Sequence, residues 1–152
     1  MTAATTSAAP IVEVSIEVPR GSFAKRDATR RLEFLSPLPC PFNYGAVSGL
    51  PGADHDLLDA VVLGPRLAAG TRLHCAAQAV VLFVDAGEDD AKLVCGPAPL
   101  SAGEQRLVLG FFHVYALCKR VLNTAQGRRG PTRCAGFGDV SAVLARAAAR
   151  TR

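Results

Sequence analysis

The chain has 152 residues, of which 49% are hydrophobic and 20% charged, and this composition at single-domain length argues against global disorder and against two domains. Lys and Arg total 17 and Asp and Glu total 13, which gives a formal charge of +4. That sum hides a division, because residues 1–118 carry 9 basic and 12 acidic side chains (net −3) while residues 119–152 carry 8 basic side chains and one acid (net +7).

The first half of the sequence predicts short strands. Apolar residues alternate with polar ones from Val12 to Val18, which is typical of a half-buried strand. Residues 1–10 lack the basic and apolar regions of a signal peptide, and we expect them to form a loose tail. Later strands are predicted at Leu32–Leu35, Ala60–Leu63, Thr71–Val84 (as one strand or two) and Ala91–Cys95, with an extended proline-rich loop over Ser36–Gly45.

A helix is predicted where the strands end. Ser101 and Glu104 have the spacing of a capping box, and an apolar-periodic run follows them. The residues expected on one face of this helix are Leu107, Phe111 and Tyr115, with Val108 and Phe112 beside them. The helix should run to about Leu122.

A second, alanine-rich helix is predicted over Val140–Ala149, with Asp139 as its N-cap. Short strands followed by helices predict the α+β class. The specific expectation is a small OB-like closed β-barrel of about five strands with two flanking α-helices. We expect this to be a single domain over residues 11–150.

The cysteines and the basic C-terminal region limit the compartment and the partners. The five cysteines are odd in number and form no CxxC pair, which argues against a disulfide framework or a zinc knuckle and favours a cytoplasmic protein.

The longest apolar run, Ala79–Val84, is too short to cross a bilayer, so we expect no membrane partner. Residues 119–152 lack interleaved aromatic residues and any recognition motif. We therefore expect no nucleic-acid partner, and a basic nucleic-acid-binding barrel is the third-ranked interpretation.

The first of two acidic clusters lies just before a predicted strand and contains Asp54, Asp56 and Asp59. Alternate residues of an extended segment point the same way, so Asp54 and Asp56 can converge. Crowding carboxylates is costly unless cations neutralise them. An EF-hand does not fit, because Asp59 stands at the sixth position, where that loop needs glycine. Taken alone, the cluster is more typical of a solvated acidic turn.

The second cluster follows another predicted strand and contains Asp85 and Asp90 with Lys92 two residues later. Taken alone, it is typical of a polar hairpin turn. Two such clusters in one small barrel offer five or more hard oxygen ligands, which suit Mg²⁺ or Mn²⁺ better than zinc. A carboxylate site for several metal ions, with cations and tyrosines nearby, is the arrangement that phosphoryl hydrolysis needs.

Both clusters belong to a series of six segments that match the motifs of one protein family in order. The segments are Glu17–Ser22 for E-I-P-K-G-S, Pro41–Gly45 for P-x-N-Y-G, Asp54–Asp59 for D-x-D-x-x-D, Asp85–Lys92 for D-x-x-x-x-D-x-K, Phe111–Tyr115 for F-F-x-x-Y and Gly136–Asp139 for G-W-G-D. Lys25 stands where the family has the lysine of K-x-E. From Val12 to about Ala149 the chain therefore resembles the family I soluble inorganic pyrophosphatases.

The resemblance implies a role for each matched residue. The implied ligands of Mg²⁺, or of Mn²⁺ in its place, are Glu17, Asp54, Asp59, Asp85 and Asp90. Asp56 would orient and deprotonate the attacking water. The implied phosphoryl-binding side chains are Lys25, Arg31, Tyr44, Lys92 and Tyr115, of which Tyr44 and Lys92 would also be catalytic. The implied activity is Mg²⁺-dependent hydrolysis of inorganic pyrophosphate to two orthophosphates without a covalent intermediate, in a homo-oligomer.

Two positions that the family uses to bind phosphate depart from its pattern. Ala116 stands where the family has a lysine directly after F-F-x-x-Y, and Leu32 stands where it has a phosphate-binding arginine. Arg31 is one position away and can serve only if the shortened hairpin shifts its register. The carboxylates implied to bind metal are thus all present, while two of the side chains implied to bind phosphate are missing. The alternative function is accordingly a catalytically weak or inactive pyrophosphatase-like binding module.

Overall fold

The structure is a computed structural model that describes residues 7–22, 24–26, 32–35, 39–53 and 56–152, with the backbone alone for 24–26 and 32–35. Residues 1–6 of the expected tail, Arg31 and Asp54 lie outside these ranges. The strands and helices of the described residues are β1 (Ile11–Val18), β2 (Ala24–Arg26), β3 (Leu32–Leu35), β4 (Asn43–Pro51), β5 (Leu57–Val62), β6 (Arg72–Asp85), β7 (Glu88–Asp89), β8 (Lys92–Cys95), α1 (Ala102–Ala125), β9 (Arg133–Phe137) and α2 (Val140–Ala149).

Five strands close into a barrel. β1 pairs antiparallel with both β4 and β6. β4 pairs antiparallel with β5, β5 runs parallel to β8, and β8 returns antiparallel to β6. β7 and β9 extend the sheet beyond β6, while β2 and β3 form a separate hairpin. The predicted α+β barrel with two flanking helices is confirmed.

The barrel interior is the first of two cores. β1 supplies every second residue to it, from Val12 through Val14 to Ile16, as its alternation predicted. Val143 and Ala147 of α2 pack into the same cluster. The N-cap of α2 is Asp139, whose side chain accepts a hydrogen bond from the Ala142 amide. Because this short helix buries its apolar residues against the barrel, its position is fixed relative to the strands.

The second core lies between the outer face of the barrel and α1. It contains Phe42 and Phe83 from the barrel with Val108, Phe112 and Ala116 from the helix. The capping box of α1 at Ser101 and Glu104 is present as predicted. Leu107 is 51% exposed, so the buried face is centred one residue further along the helix than expected. Tyr115 and Phe111 flank this core and are partly buried against it.

Several element boundaries differ from the predictions. The loop predicted over Ser36–Gly45 is wrong for its last three residues, because β4 begins at Asn43. β4 buries its residues in an irregular order and has a break in its register with β5, and this removed the alternation by which it could have been recognised. β5 begins at Leu57, three residues before its predicted start, so Asp59 lies within the strand. In α1 the helix continues to Ala125.

Among the described residues, neither helix combines the length and apolar character needed to cross a membrane.

Gly45 allows β4 to cross closely over β1. A Cβ atom at this position would lie 2.1 Å from the carbonyl oxygen of Ser15 and 3.1 Å from the Cα of Ile16. Because the obstacle is backbone, the strands must separate, and Gly45→Ala is expected to lower the free energy of unfolding by about 1–3 kcal/mol or more. Urea denaturation followed by circular dichroism measures the change.

The matched control is Gly110→Ala in α1, where a Cβ atom meets nothing within 4 Å. Alanine is a better helix former than glycine, so this variant is expected to be more stable than the wild type by about 0.5–1 kcal/mol. Equal destabilisation by the two substitutions would contradict the close approach of β4 to β1.

Candidate functional site

The candidate site is centred on the side chain of Lys92, which is only 3% exposed. Its Nζ atom lies 2.5 Å from Oδ2 of Asp59 and 2.7 Å from Oδ2 of Asp90. The parallel pairing of β5 with β8 places Asp59 directly opposite Lys92, and Asp90 precedes β8 by two residues. Three residues predicted from two separate motifs therefore meet at one point.

Aromatic side chains enclose this group. The Nζ atom of Lys92 lies 5.9 Å from the ring centroid of Tyr44 and 5.7 Å from that of Phe83. Tyr44, from β4, also hydrogen-bonds to Asp59. Tyr115, from α1, packs beside Phe83 with 5.8 Å between the ring centroids and 54° between the ring planes. Both predicted phosphoryl-binding tyrosines thus lie at the site.

The protonation states follow from burial and from the charges. Burial lowers the pKa of Lys92, but the negative charge of Asp59 outweighs this effect and holds the pKa well above its usual range. Burial raises the pKa of Asp59, and the charge and hydrogen bond of Lys92 bring it below its usual value. Burial raises the pKa of Tyr115 to about 12 and that of Tyr44 well above its usual range. At neutral pH the site therefore holds an ammonium, a carboxylate and two phenol groups that can donate hydrogen bonds.

Asp85 lies in a second polar group at the end of β6. Its carboxylate accepts a hydrogen bond from Nδ2 of Asn123 at 2.7 Å and lies 3.3 Å from both Lys119 Nζ and Arg128 Nη1. Burial raises the pKa of Asp85, but the Asn123 hydrogen bond and the charge of Lys119 hold it below its usual value. Its negative charge also contributes to the raised pKa of Tyr115, so the two polar groups are electrostatically connected.

Asn123 and Arg128 were not predicted as site residues. Asn123 is 4% exposed and also donates a hydrogen bond to Thr132 Oγ1 at 3.0 Å. The available signal was helical periodicity, because Tyr115, Lys119 and Asn123 recur every four residues and so share one face of α1. Asn123 follows Tyr115 and Lys119 on this face. A polar side chain in that position is expected to be buried and to form hydrogen bonds near the site.

The structure describes the other predicted residues only in part. Glu17 is half-buried on β1, and Asp56 is exposed where the chain enters β5. Lys25 belongs to β2, whose backbone alone is described, while Arg31 and Asp54 are outside the described ranges. No group of three or more His, Cys, Asp and Glu residues within those ranges could hold a metal ion. The five-carboxylate metal set stays a prediction, of which Asp59 and Asp90 lie together.

Comparisons with known proteins agree with this architecture. The family model for inorganic pyrophosphatase matches residues 14–106. The inorganic pyrophosphatase of Haemophilus influenzae is 36% identical over 98 residues, which cover 59% of this chain and 56% of that protein. The enzyme of Neisseria meningitidis serogroup A is 35% identical over 96 residues, or 58% of this chain and 54% of that protein. The chain thus spans about half the length of the curated relatives that it matches.

Two solved structures show the same fold over nearly the whole chain. An inorganic pyrophosphatase from Neisseria gonorrhoeae superposes with a TM-score of 0.73 at 25% identity, covering 93% of this chain and 91% of that one. The Thermus thermophilus protein also gives 0.73, at 23% identity, and covers 99% and 95% of the two chains. The matched residues 14–106 include Tyr44, Asp59, Asp90 and Lys92 and make up more than half of the sequence. The chain therefore belongs to the inorganic pyrophosphatase family.

Proposed function

We propose that the protein hydrolyses inorganic pyrophosphate to two orthophosphates by direct attack of water, in the presence of Mg²⁺. The observation that carries this proposal is the buried Lys92 ammonium, held between Asp59 and Asp90 beside two tyrosines that stay protonated at neutral pH. Membership of the family supports the choice of substrate. The test is release of orthophosphate from pyrophosphate by the purified chain with Mg²⁺ and, separately, with Mn²⁺.

The positioned donors would bind the phosphoryl groups. An ammonium has three N–H donors, and the two carboxylate contacts of Lys92 leave one for a phosphoryl oxygen. The hydroxyls of Tyr44 and Tyr115 add neutral donors on either side. Lys25 and Arg31 are the further phosphate-binding residues proposed. Such fixed donors stabilise the charge on the leaving phosphate without reorganising during the reaction.

The carboxylates present fit a hard divalent cation. Asp59 and Asp90 offer oxygen atoms at one point, and oxygen ligands of this kind suit Mg²⁺ and Mn²⁺. The proposed ligands are Glu17, Asp54, Asp59, Asp85 and Asp90. When bound, the cation supplies a water of lowered pKa. Asp56 would accept a proton from the attacking water. Because its side chain is exposed, it can then release that proton to solvent.

Asp56→Asn is expected to lower the rate of phosphate release by about 100-fold or more, because the amide cannot accept the proton. A colorimetric phosphate assay across a range of Mg²⁺ concentrations measures the rate. Glu88→Gln is the matched control, since it makes the same change at an exposed carboxylate of β7, and it should retain wild-type turnover. Equal activity of the wild type and Asp56→Asn would rule out Asp56 as the base.

The second candidate function is a binding module with weak or no turnover. Ala116 favours it, because this residue is 3% exposed and packs into the core beneath α1. No phosphate contact can come from that position, where the family pattern has a lysine. Calorimetry that detects pyrophosphate binding, combined with no phosphate release by the wild type, would select this function over hydrolysis.

We further propose that the chain forms a homo-oligomer through α1. Four exposed apolar side chains follow heptad-like spacing along this helix, namely Leu107, Val114, Leu117 and Val121. Val121 is 70% exposed, and a contiguous apolar stripe of this kind usually marks an interface. Light scattering should give a multiple of 15.9 kDa, and Leu117→Glu with Val121→Glu should give the monomer mass. A monomeric wild type would contradict the proposal.

A cytoplasmic location is proposed on the state of the cysteines. All five, among them the buried Cys40 and Cys95, carry free thiols. Free thiols are typical of proteins that work in a reducing compartment. Fractionation of cells that express the full chain tests this location.

A further inference from the structure

The carboxylate of Asp85 is held on both of its oxygen atoms by other side chains of the chain. Oδ1 accepts a hydrogen bond from Nδ2 of Asn123 at 2.7 Å. Oδ2 lies 3.3 Å from Nζ of Lys119 and 3.3 Å from Nη1 of Arg128. Two cations thus contact one oxygen atom of a side chain that is only 13% exposed. The oxygen atoms that a metal ion would need at Asp85 are therefore already in use.

The end of α1 holds both cations in position. Lys119 and Asn123 are four residues apart and so share one face of the helix. Arg128 follows three residues after the helix ends, and its amide donates to the carbonyl oxygen of Asn123 at 2.8 Å. Its Nη1 atom donates to Oδ1 of Asn123 at 3.2 Å, and Asn123 is itself hydrogen-bonded to Thr132. Because these contacts order the two side chains, holding Asp85 costs less conformational entropy than an ion pair between mobile surface residues.

A metal ion cannot bind Asp85 without displacing one of these donors. Mg²⁺ binds its oxygen ligands at about 2.0–2.1 Å and requires octahedral geometry. An ion at that distance from Oδ2 would lie beside an ammonium and a guanidinium that are both 3.3 Å from the same atom. Like charges so close together repel strongly where little water intervenes. An ion on Oδ1 would instead have to displace the amide group of Asn123. Binding at Asp85 is therefore an exchange and not a simple addition.

We propose that Lys119 and Arg128 compete with the divalent cation for Asp85, so that this carboxylate takes a metal ion only in exchange for its ion pairs with the chain. The inference rests on the proposed function, in which Asp85 is a ligand of Mg²⁺ or Mn²⁺. The two cations weaken metal binding at Asp85 below what the same carboxylate would give without them. They also supply positive charge at Asp85 when no ion is bound, and so determine how much divalent cation is needed to fill this position.

Titration of the metal-free full chain with Mn²⁺ alone, followed by the electron paramagnetic resonance signal of the free ion, tests the exchange. Asp85→Asn identifies the bound ion that depends on Asp85. Lys119→Met with Arg128→Met removes both competing cations, and each lost charge-assisted contact corresponds to about tenfold in affinity. This variant is expected to bind the Asp85-dependent ion more tightly than the wild type by at least about that factor.

The matched control is Arg129→Met with Arg152→Met. It removes the same two charges at exposed arginines that make none of the described contacts with Asp85, and it should bind Mn²⁺ as the wild type does. Thermal melts in metal-free buffer first establish that the variants are folded. If the double variant at Lys119 and Arg128 does not fold, Lys119→Met alone gives the same measurement with one contact removed.

Asp85→Asn is then added to the Lys119→Met, Arg128→Met variant and must abolish the gain in affinity. A gain confined to chains that keep Asp85 supports the proposal, whether the wild type binds that ion weakly or not at all. Equal affinities in the wild type and the Lys119→Met, Arg128→Met variant would overturn it. The same holds for a gain that survives Asp85→Asn or appears equally in the control, since the lost charge would then act without Asp85. A lack of any Asp85-dependent ion in both backgrounds would also overturn it.

This test is independent of turnover, because Mn²⁺ binding is measured without pyrophosphate. A wild type that releases no phosphate but shows the expected Mn²⁺ affinities would reject the proposed function alone. An active wild type whose Asp85-dependent ion binds equally tightly with and without Lys119 and Arg128 would reject the exchange alone.

Discussion

Replacing Lys92 with methionine is expected to lower the free energy of unfolding by about 3–5 kcal/mol. The ammonium lies within 2.7 Å of both Asp59 and Asp90 and is almost fully buried. Methionine has a similar length but no charge, so the two carboxylates would share a poorly solvated space without a cation. Leaving Asp59 and Asp90 buried without a cation costs more free energy than the ion pairs with Lys92 contribute to the stability of the wild type.

Lys119→Met is the matched control for this prediction. Lys119 also contacts a carboxylate, that of Asp85, but Asp85 keeps its hydrogen bond from Asn123 and its contact with Arg128 after the substitution. The expected loss is about 1 kcal/mol. Urea denaturation in metal-free buffer measures both variants, and equal midpoints for Lys92→Met and the wild type would show that the buried group does not contribute to folding.

The barrel and helices were predictable because their signals are local. Alternation along β1, the capping box at Ser101 and the N-cap at Asp139 each depend on a few neighbouring residues. β4 was missed for the opposite reason. It approaches β1 at Gly45 and breaks register with β5, and neither feature can be seen without knowing which strands become neighbours.

The site was predicted through motif resemblance more than through physical derivation. Spacing alone made each acidic cluster more typical of a polar turn than of a binding site. Their convergence depends on the parallel pairing of β5 with β8, which places Asp59 opposite Lys92. Residues that contact Asp85 from α1, such as Asn123, lie 38 positions away in the sequence. Only the tertiary fold determines contacts of that kind.

Asn43→Ala is expected to lower the free energy of unfolding by about 2–4 kcal/mol. Asn43 belongs to the P-x-N-Y-G motif, but its side chain has a structural role that the motif does not reveal. Its side chain is completely buried at the start of β4. Oδ1 accepts hydrogen bonds from the amides of Arg20 and Leu67, at 3.1 and 2.8 Å. Nδ2 donates to the carbonyls of Val62 and Pro65, at 3.3 and 2.9 Å.

Alanine would leave all four of these backbone groups without the side chain that joins them, and the penalty for an unsatisfied buried polar group exceeds the gain from forming the bond. Ser48→Ala is the control, because Ser48 is exposed and makes a hydrogen bond to Glu13, so its loss should be within about 0.5 kcal/mol. Hydrogen exchange gives a site-specific measurement: the Arg20 and Leu67 amides should exchange faster in Asn43→Ala. Unchanged protection of both amides would contradict the role of Asn43 in fixing these segments beside Tyr44.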